Sequence, residues 1–167
     1  MKYNFYRPYK VKFYITIGGK VGQRKDGYHY GVDYAGIKDK TIYSITNGKV
    51  IRTGYQAKGA GNFVVINSFD YPNIEIKFFH LSKIYVSVTQ HIDPNTAIGV
   101  EGSTGRSSGS HLHLEIWDKY KIVNPEKNVN WIKRPYISKI KDENNFIKYS
   151  AMATLGFLGY LLFIKKK

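Results

Sequence analysis

Short apolar runs broken by turn residues fill the first two thirds of the chain. Residues 11–17 alternate apolar and mixed positions and stop at Gly18-Gly19, which predicts an opening strand and a turn. Residues 41–45, 49–53, 62–67, 74–81, 97–100 and 112–117 are rich in Val, Ile, Tyr and Phe and are separated by Gly, Asn, Asp or Pro. Each reads as a further strand. Asn47-Gly48, lying between two of these runs, signals a hairpin. No amphipathic helix is predicted before residue 140 and no internal repeat is visible. The expected fold class is therefore mostly β, a small antiparallel β sandwich or barrel-like domain with a C-terminal apolar helical tail.

The pattern changes after Asn124-Pro125. We expect a folded domain over 1–135, a polar linker over 136–148, a hydrophobic segment over 149–164 and a basic end over 165–167. The sixteen residues 149–164 carry no charge and include Gly156 and Gly159. As a helix they would reach ~24 Å, short of the ~30 Å hydrocarbon core, although Lys148 and the terminal lysines can snorkel and Phe146-Ile147 can extend the span. The segment is apolar on all sides rather than striped, which favours membrane insertion over packing onto the domain.

Composition narrows the chemistry. There is no cysteine, so disulfides and thiolate metal sites are excluded, and imidazole and carboxylate are left as transition-metal ligands. Lys and Arg number 26 against 12 acidic residues, a net charge of +14. Lysine predominates, which suits diffuse attraction to polyanions better than base reading, and no recognition helix or aromatic ribonucleoprotein motif is present. Specific nucleic-acid binding is not expected. Residues 1–8 lack the apolar stretch of a secretory signal.

The histidines carry the candidate chemistry. His111-Leu112-His113 follows a glycine- and serine-rich turn, and on a strand two side chains one residue apart face the same side. Far upstream stands His29-Tyr30-Gly31-Val32-Asp33. Catalytic zinc takes three protein ligands at about 2.0–2.2 Å and keeps a fourth position open. His29, Asp33 and one histidine of the strand pair supply that number. The other strand histidine and His80 are then candidates for proton transfer and oxyanion stabilisation, there being no His-Glu-x-x-His helix to provide a glutamate base. Glu115 continues the same strand face and is placed to fix an imidazole tautomer. His91 lies apart, and reads as a surface histidine.

These residues resemble the lysostaphin-like (LytM-type) zinc metalloendopeptidases, from about Gly18 to Pro125. The likeness includes Arg24, the His29–Asp33 run, Asn47-Gly48-Lys49-Val50-Ile51, Gly61 to Ile66, Phe79-His80-Leu81-Ser82, Gly102 to Glu115 and Val123-Asn124-Pro125. It implies that His29, Asp33 and His113 bind Zn2+ and that His80 and His111 act on the water and the developing oxyanion. It also implies a groove above an antiparallel sheet. The chain departs from the family at Ala35-Gly36-Ile37-Lys38-Asp39-Lys40 and around Gln90 to Asn95, which bears on substrate choice rather than on the ligands.

The implied function is a zinc-dependent endopeptidase, a peptidoglycan hydrolase cutting cross-links or stem peptides in the bacterial cell wall. Its expected partners are peptidoglycan peptides, with anionic wall polymers or membrane engaged by the basic surface and the apolar tail. Delivery to the wall without a signal would suit a phage lysin or a virion-borne enzyme. The alternative is a noncatalytic peptidoglycan-binding or regulatory module that keeps the fold.

Overall fold

The computed structural model describes residues 2–25 and 27–134. In chain order the elements are β1 (Tyr3–Tyr6), β2 (Phe13–Ile15), β3 (Gly22–Arg24), β4 (Gly27–His29), β5 (Val32–Gly36), β6 (Thr41–Tyr43), β7 (Gly48–Gln56) and β8 (Gly61–Ser68). There follow β9 (Ile74–Leu81), β10 (Lys83–Ile84), β11 (His91–Ile92), β12 (Ala97–Val100), β13 (Leu112–Asp118), β14 (Lys121–Ile122), α1 (Pro125–Asn128) and β15 (Val129–Ile132).

The fold is mostly β, as the alternation of the sequence predicts. One eight-stranded antiparallel sheet runs β11-β7-β8-β9-β13-β5-β2, with β14 paired to β13. A second antiparallel sheet runs β10-β12-β6. Hairpin β3-β4 and the parallel pair β1-β15 complete the described strands. Ile42 and Ile98 from the small sheet join Ile66, Ile76, Phe78 and Leu114 of the large one in a single buried cluster, so the two sheets share a core. Most of the folding free energy comes from that shared burial, about 1.5–3 kcal/mol for each large apolar side chain.

Alternation on the central strands decides which residues the core receives. On β9, Ile74, Ile76 and Phe78 are buried while Glu75, Lys77 and Phe79 point the other way and are partly exposed. On β13, Leu112, Leu114 and Ile116 enter the core, leaving His113, Glu115 and Trp117 on the opposite face. Register then lines up chemistry across three strands: His113 stands opposite Asp33 on β5 and opposite Phe79 on β9.

The Asn47-Gly48 signal does not make a hairpin. Residue 43 ends a strand of the small sheet, whereas Gly48 opens β7 of the large sheet and pairs with Ser68 and Ile92. The dipeptide turns a corner between sheets. Asn47 is held there by Asp70, which accepts from its backbone N–H at 3.2 Å, and a Cβ on Gly48 would lie 2.3 Å from the Asn67 carbonyl. Glycine is present for close approach rather than for turn type. Strands β1, β3, β4, β5, β10, β11, β14 and β15 fall outside the expected runs, and the opening strand shrinks from 11–17 to Phe13–Ile15. The expected linker, hydrophobic segment and basic end lie outside the described residues. Among the described residues no helix is long and apolar enough to cross a membrane.

Candidate metal centre

Three strands deliver three donor atoms to one point. His29 ends β4, Asp33 lies on β5 and His113 on β13, and all three are buried. Asp33 Oδ1 is 3.1 Å from His29 Nε2 and 2.8 Å from His113 Nδ1, and the two nitrogens are 3.0 Å apart. Gly31 makes this possible, since a Cβ there would fall 2.7 Å from His113 Nε2 and 2.6 Å from the Leu114 carbonyl. The His113 ring is stacked on Phe79, centroids 5.5 Å apart at 8°, so its plane is fixed from below.

The outer nitrogens determine what the inner ones can do. His29 Nδ1–H donates to the Lys20 carbonyl at 2.8 Å, and His113 Nε2–H donates to Glu115 Oε1 at 3.3 Å. Those bonds fix both tautomers and turn the remaining lone pairs inward. Glu115 is itself held by Trp117 Nε1–H at 2.6 Å and by Lys77 at 3.5 Å. Arg24 donates to the other Asp33 oxygen, Oδ2, at 3.2 Å, leaving Oδ1 to face the imidazoles. Two nitrogen lone pairs and a carboxylate oxygen about 3 Å apart repel one another unless a positive charge sits between them. The charge state agrees. Burial would push the Asp33 carboxyl up, but His113 and His29 outweigh it and hold it well below the usual carboxylate range. Burial would lower His113, and Asp33 and Glu115 outweigh that and hold it above its ordinary value. The gap takes a proton on His113 or a metal ion, and these three residues form the one group of metal-capable side chains found among the described residues. A neutral-imidazole and carboxylate set without thiolate suits zinc among other divalent metals.

His80 and His111 are held differently. His80 ends an outward, inward, outward alternation that would bury it, but its φ of 63° lies in the left-handed region and swings the ring to the groove. Such a backbone costs on the order of 1–3 kcal/mol. It is sustained by His80 N–H donating to the Ala60 carbonyl at 2.8 Å and by Nδ1–H donating to Thr104 O at 2.8 Å. His111 precedes β13, bridges to Gly102 and donates from Nδ1–H to the Gly109 carbonyl at 2.8 Å. In both rings Nε2 is left for the groove. His111 Nε2 is 3.7 Å from Asp33 Oδ1, and the His80 and His111 centroids are 4.8 Å apart. Burial, helped by the neighbouring His111 and His113 rings, pushes His80 below its ordinary value against the Thr104 bond, so it is a neutral base near pH 7.

All five residues singled out in the sequence line one open cavity of about 750 Å³. Glu115 bonds to a triad imidazole as its place on the strand face suggests. Of the tyrosines beside the first ligands, Tyr28 and Tyr30 are half exposed, Tyr30 lining the cavity, while Tyr34 is buried in the core. His91 is exposed and packs on Phe69. Sequence reasoning missed the supports: the Lys20 and Thr104 carbonyls, the Phe79 stack, and Glu101. A backbone carbonyl leaves no trace in residue type. Glu101 was visible only as the first residue of a glycine-rich turn.

Fold and donor set together define a β-sheet domain whose metal-capable triad opens onto a groove. The chain belongs to peptidase family M23, which matches residues 27–125. It is 30% identical over 149 residues to an uncharacterized metalloprotease of Buchnera aphidicola, covering 87% of this chain and 38% of that protein. It is 34% identical over 118 residues to the murein hydrolase activator NlpD of Escherichia coli, covering 71% of this chain and 29% of NlpD. The chain thus spans about a third of the length of these relatives. Among solved structures, the catalytic domain of the antimicrobial peptidase lysostaphin from Staphylococcus simulans superposes with a TM-score of 0.58 at 27% identity, covering 69% of this chain and 89% of that domain.

Proposed function

We propose that this chain is a zinc-dependent endopeptidase that hydrolyses peptide cross-links or stem peptides of bacterial peptidoglycan. The observation that carries the reading is the convergence of His29 Nε2, Asp33 Oδ1 and His113 Nδ1 within 3.1 Å of one another, beside two further imidazoles on an open groove. Membership of a peptidase family whose relatives include lysostaphin supports the same substrate class.

The three donors would hold Zn2+, with Arg24, Lys20 and Glu115 fixing their orientation. When bound, zinc supplies a Lewis acid for the scissile carbonyl and brings the pKa of water toward ~7. His80, kept neutral by burial, accepts a proton from the attacking water at Nε2 as the new C–O bond forms. His111, nearer Asp33, faces the developing oxyanion and stabilises it when its Nε2 carries a proton in addition to the Nδ1–H held by Gly109 O. The C–N bond then breaks and the proton passes from the imidazole to the leaving amine. The basic surface draws the enzyme to anionic wall polymers, and its place of action is the bacterial cell wall.

A second reading is a noncatalytic wall-binding or activating module. It is favoured by the likeness to NlpD, which is a murein hydrolase activator by name. The test is mass spectrometry of fragments released from purified walls of several cross-link types by zinc-loaded protein, by chelated protein and by His113→Ala. New amino termini that appear with the first alone support hydrolysis. Wall binding without any release, indifferent to chelation, sinks it in favour of the module.

A further inference from the structure

Three carboxylates are buried among the described residues: Asp33, Glu115 and Glu101. The first two serve the metal centre. Glu101 is 3% exposed and does not touch it. A buried carboxylate is costly unless its lone pairs are occupied, and an apolar side chain of equal size would stabilise at least as well. What Glu101 provides is a fixed junction. Its Oε1 accepts from Lys40 Nζ at 2.6 Å and from Ser110 Oγ at 2.7 Å, and its Oε2 accepts from the Tyr9 hydroxyl at 2.6 Å and the Gly36 N–H at 2.8 Å. Four donors from three separated parts of the chain meet on one group.

Two of these parts belong to the groove. Gly36 ends β5, three residues after Asp33, and Ser110 directly precedes His111. The main chain of the same stretch repeats the link: Glu101 O accepts from Ser82 Oγ at 3.0 Å, two residues after His80, and Gly102 O accepts from His111 N–H at 2.9 Å. Ser107 bonds to Ser103 and Gly109 inside the glycine- and serine-rich loop, whereas Ser110 reaches out of it to the buried carboxylate. The His111 ring takes its orientation from this loop through Gly109 O, so wherever the loop is anchored, the ring follows.

We propose that Glu101 is a positioning residue that, through Ser110, sets where His111 stands over Asp33. The proposal rests on the hydrolytic reading of the site. Ser110 is exposed, and removing its hydroxyl leaves Glu101 with three of its four donors, so the packing of the core is kept at a modest cost in stability. A reacting group displaced by ~1 Å costs on the order of 10²-fold in rate.

The test compares zinc-loaded full-length wild type, Ser110→Ala, Ser110→Thr and Glu101→Gln on soluble cross-linked muropeptide dimers, with zinc content and thermal midpoint measured in parallel. Ser110→Ala should keep full zinc, with a thermal midpoint lowered by no more than a few degrees, yet lose kcat by roughly 3–10-fold at unchanged KM, and Ser110→Thr should restore it. Glu101→Gln, whose amide must turn a donor toward one of the two donor pairs, should lose kcat by roughly 10–100-fold per zinc-loaded molecule. Equal kcat per zinc-loaded molecule in all four proteins overturns the positioning role and leaves the hydrolytic reading intact. A wild type that cuts nothing overturns both.

Discussion

The two halves of the groove are built on opposite principles. His29, Asp33 and His113 sit where strand register puts them, each ring or carboxylate locked by a second partner on its outer side. His80 and His111 sit where regular structure ends, one on a left-handed residue and one behind a glycine-rich loop, and each is held at Nδ1 by a loop carbonyl, joined at His111 by Ser107 Oγ at 3.4 Å. A metal needs several ligands at fixed distances, which a sheet supplies. The proposed proton transfer needs a ring whose Nε2 stays open to substrate, which the irregular end of a strand and a loop supply. The difference implies that the halves can be broken separately.

The largest effect should come from the sheet half. Asp33→Ala removes the only carboxylate among the three donors and leaves two imidazoles that no longer share a charge between them. We expect loss of stoichiometric zinc and of all fragment release, with the β circular-dichroism spectrum retained. Zinc analysis after dialysis checks the first and wall digestion the second. Metal bound at wild-type stoichiometry would sink the triad. In the loop half, His80→Ala should keep zinc yet lower kcat by roughly 10²- to 10⁴-fold, the range for a displaced general base. If His80→Ala instead sheds its zinc, the division between the halves is wrong.

Legibility in the sequence follows the same division. Strands 74–81 and 97–100 match β9 and β12 end for end, because apolar residues alternate with others from Ile74 to Phe78 and from Ala97 to Val100. His113 and Glu115 share a face because the period of a strand is two, and that needs no structure to see. Strand β5 was missed although it carries Asp33: all five of its residues, Val32 to Gly36, are buried, so no alternation marks it. The corner at Asn47-Gly48 was misread because the dipeptide's hairpin preference is local, whereas the tie of Asn47 to Asp70 and the contact of Gly48 with Asn67 lie 23 and 19 residues away. The left-handed turn at His80 was equally hidden, since nothing in a Phe-Phe-His-Leu run announces positive φ. Side-chain type and period were readable; long-range carbonyl partners were not.

A smaller change can show how far the rigidity of the sheet half depends on its outer bonds. Glu115→Gln keeps the shape but gives up the charge that draws the His113 Nε2–H and Lys77. Zinc affinity should fall by about 10- to 100-fold, with kcat at saturating zinc changed much less, as is usual when a partner behind a ligating histidine is altered. A competition titration against a chelating dye reads the first quantity. A change in kcat larger than the change in affinity would place Glu115 in the chemistry rather than behind it.

The smallest expected effect concerns the junction between the halves and is read from acid stability rather than turnover. Burial would raise the Glu101 carboxyl, but bonds from Gly36 N–H, Lys40, Tyr9 and Ser110 outweigh it and leave the group below its ordinary value of 4.5. With a folded value below the unfolded one, the unfolded chain binds the proton more readily, so this contribution to stability is complete above pH 4.5 and disappears as pH falls through the lowered folded value. Glu101→Gln has no proton to gain. Its unfolding free energy, measured by urea at pH 7, 5, 4 and 3 in chelator, should start on the order of 1 kcal/mol below wild type, and the gap should narrow as pH falls below 4.5. Chelator removes metal from the sheet half, and Asp33 and Glu115 titrate alike in both proteins, so the difference between the two curves isolates the junction. Curves that stay parallel across the acid range would mean that Glu101 is not charged in the folded protein, and the four donors around it would then need another acceptor.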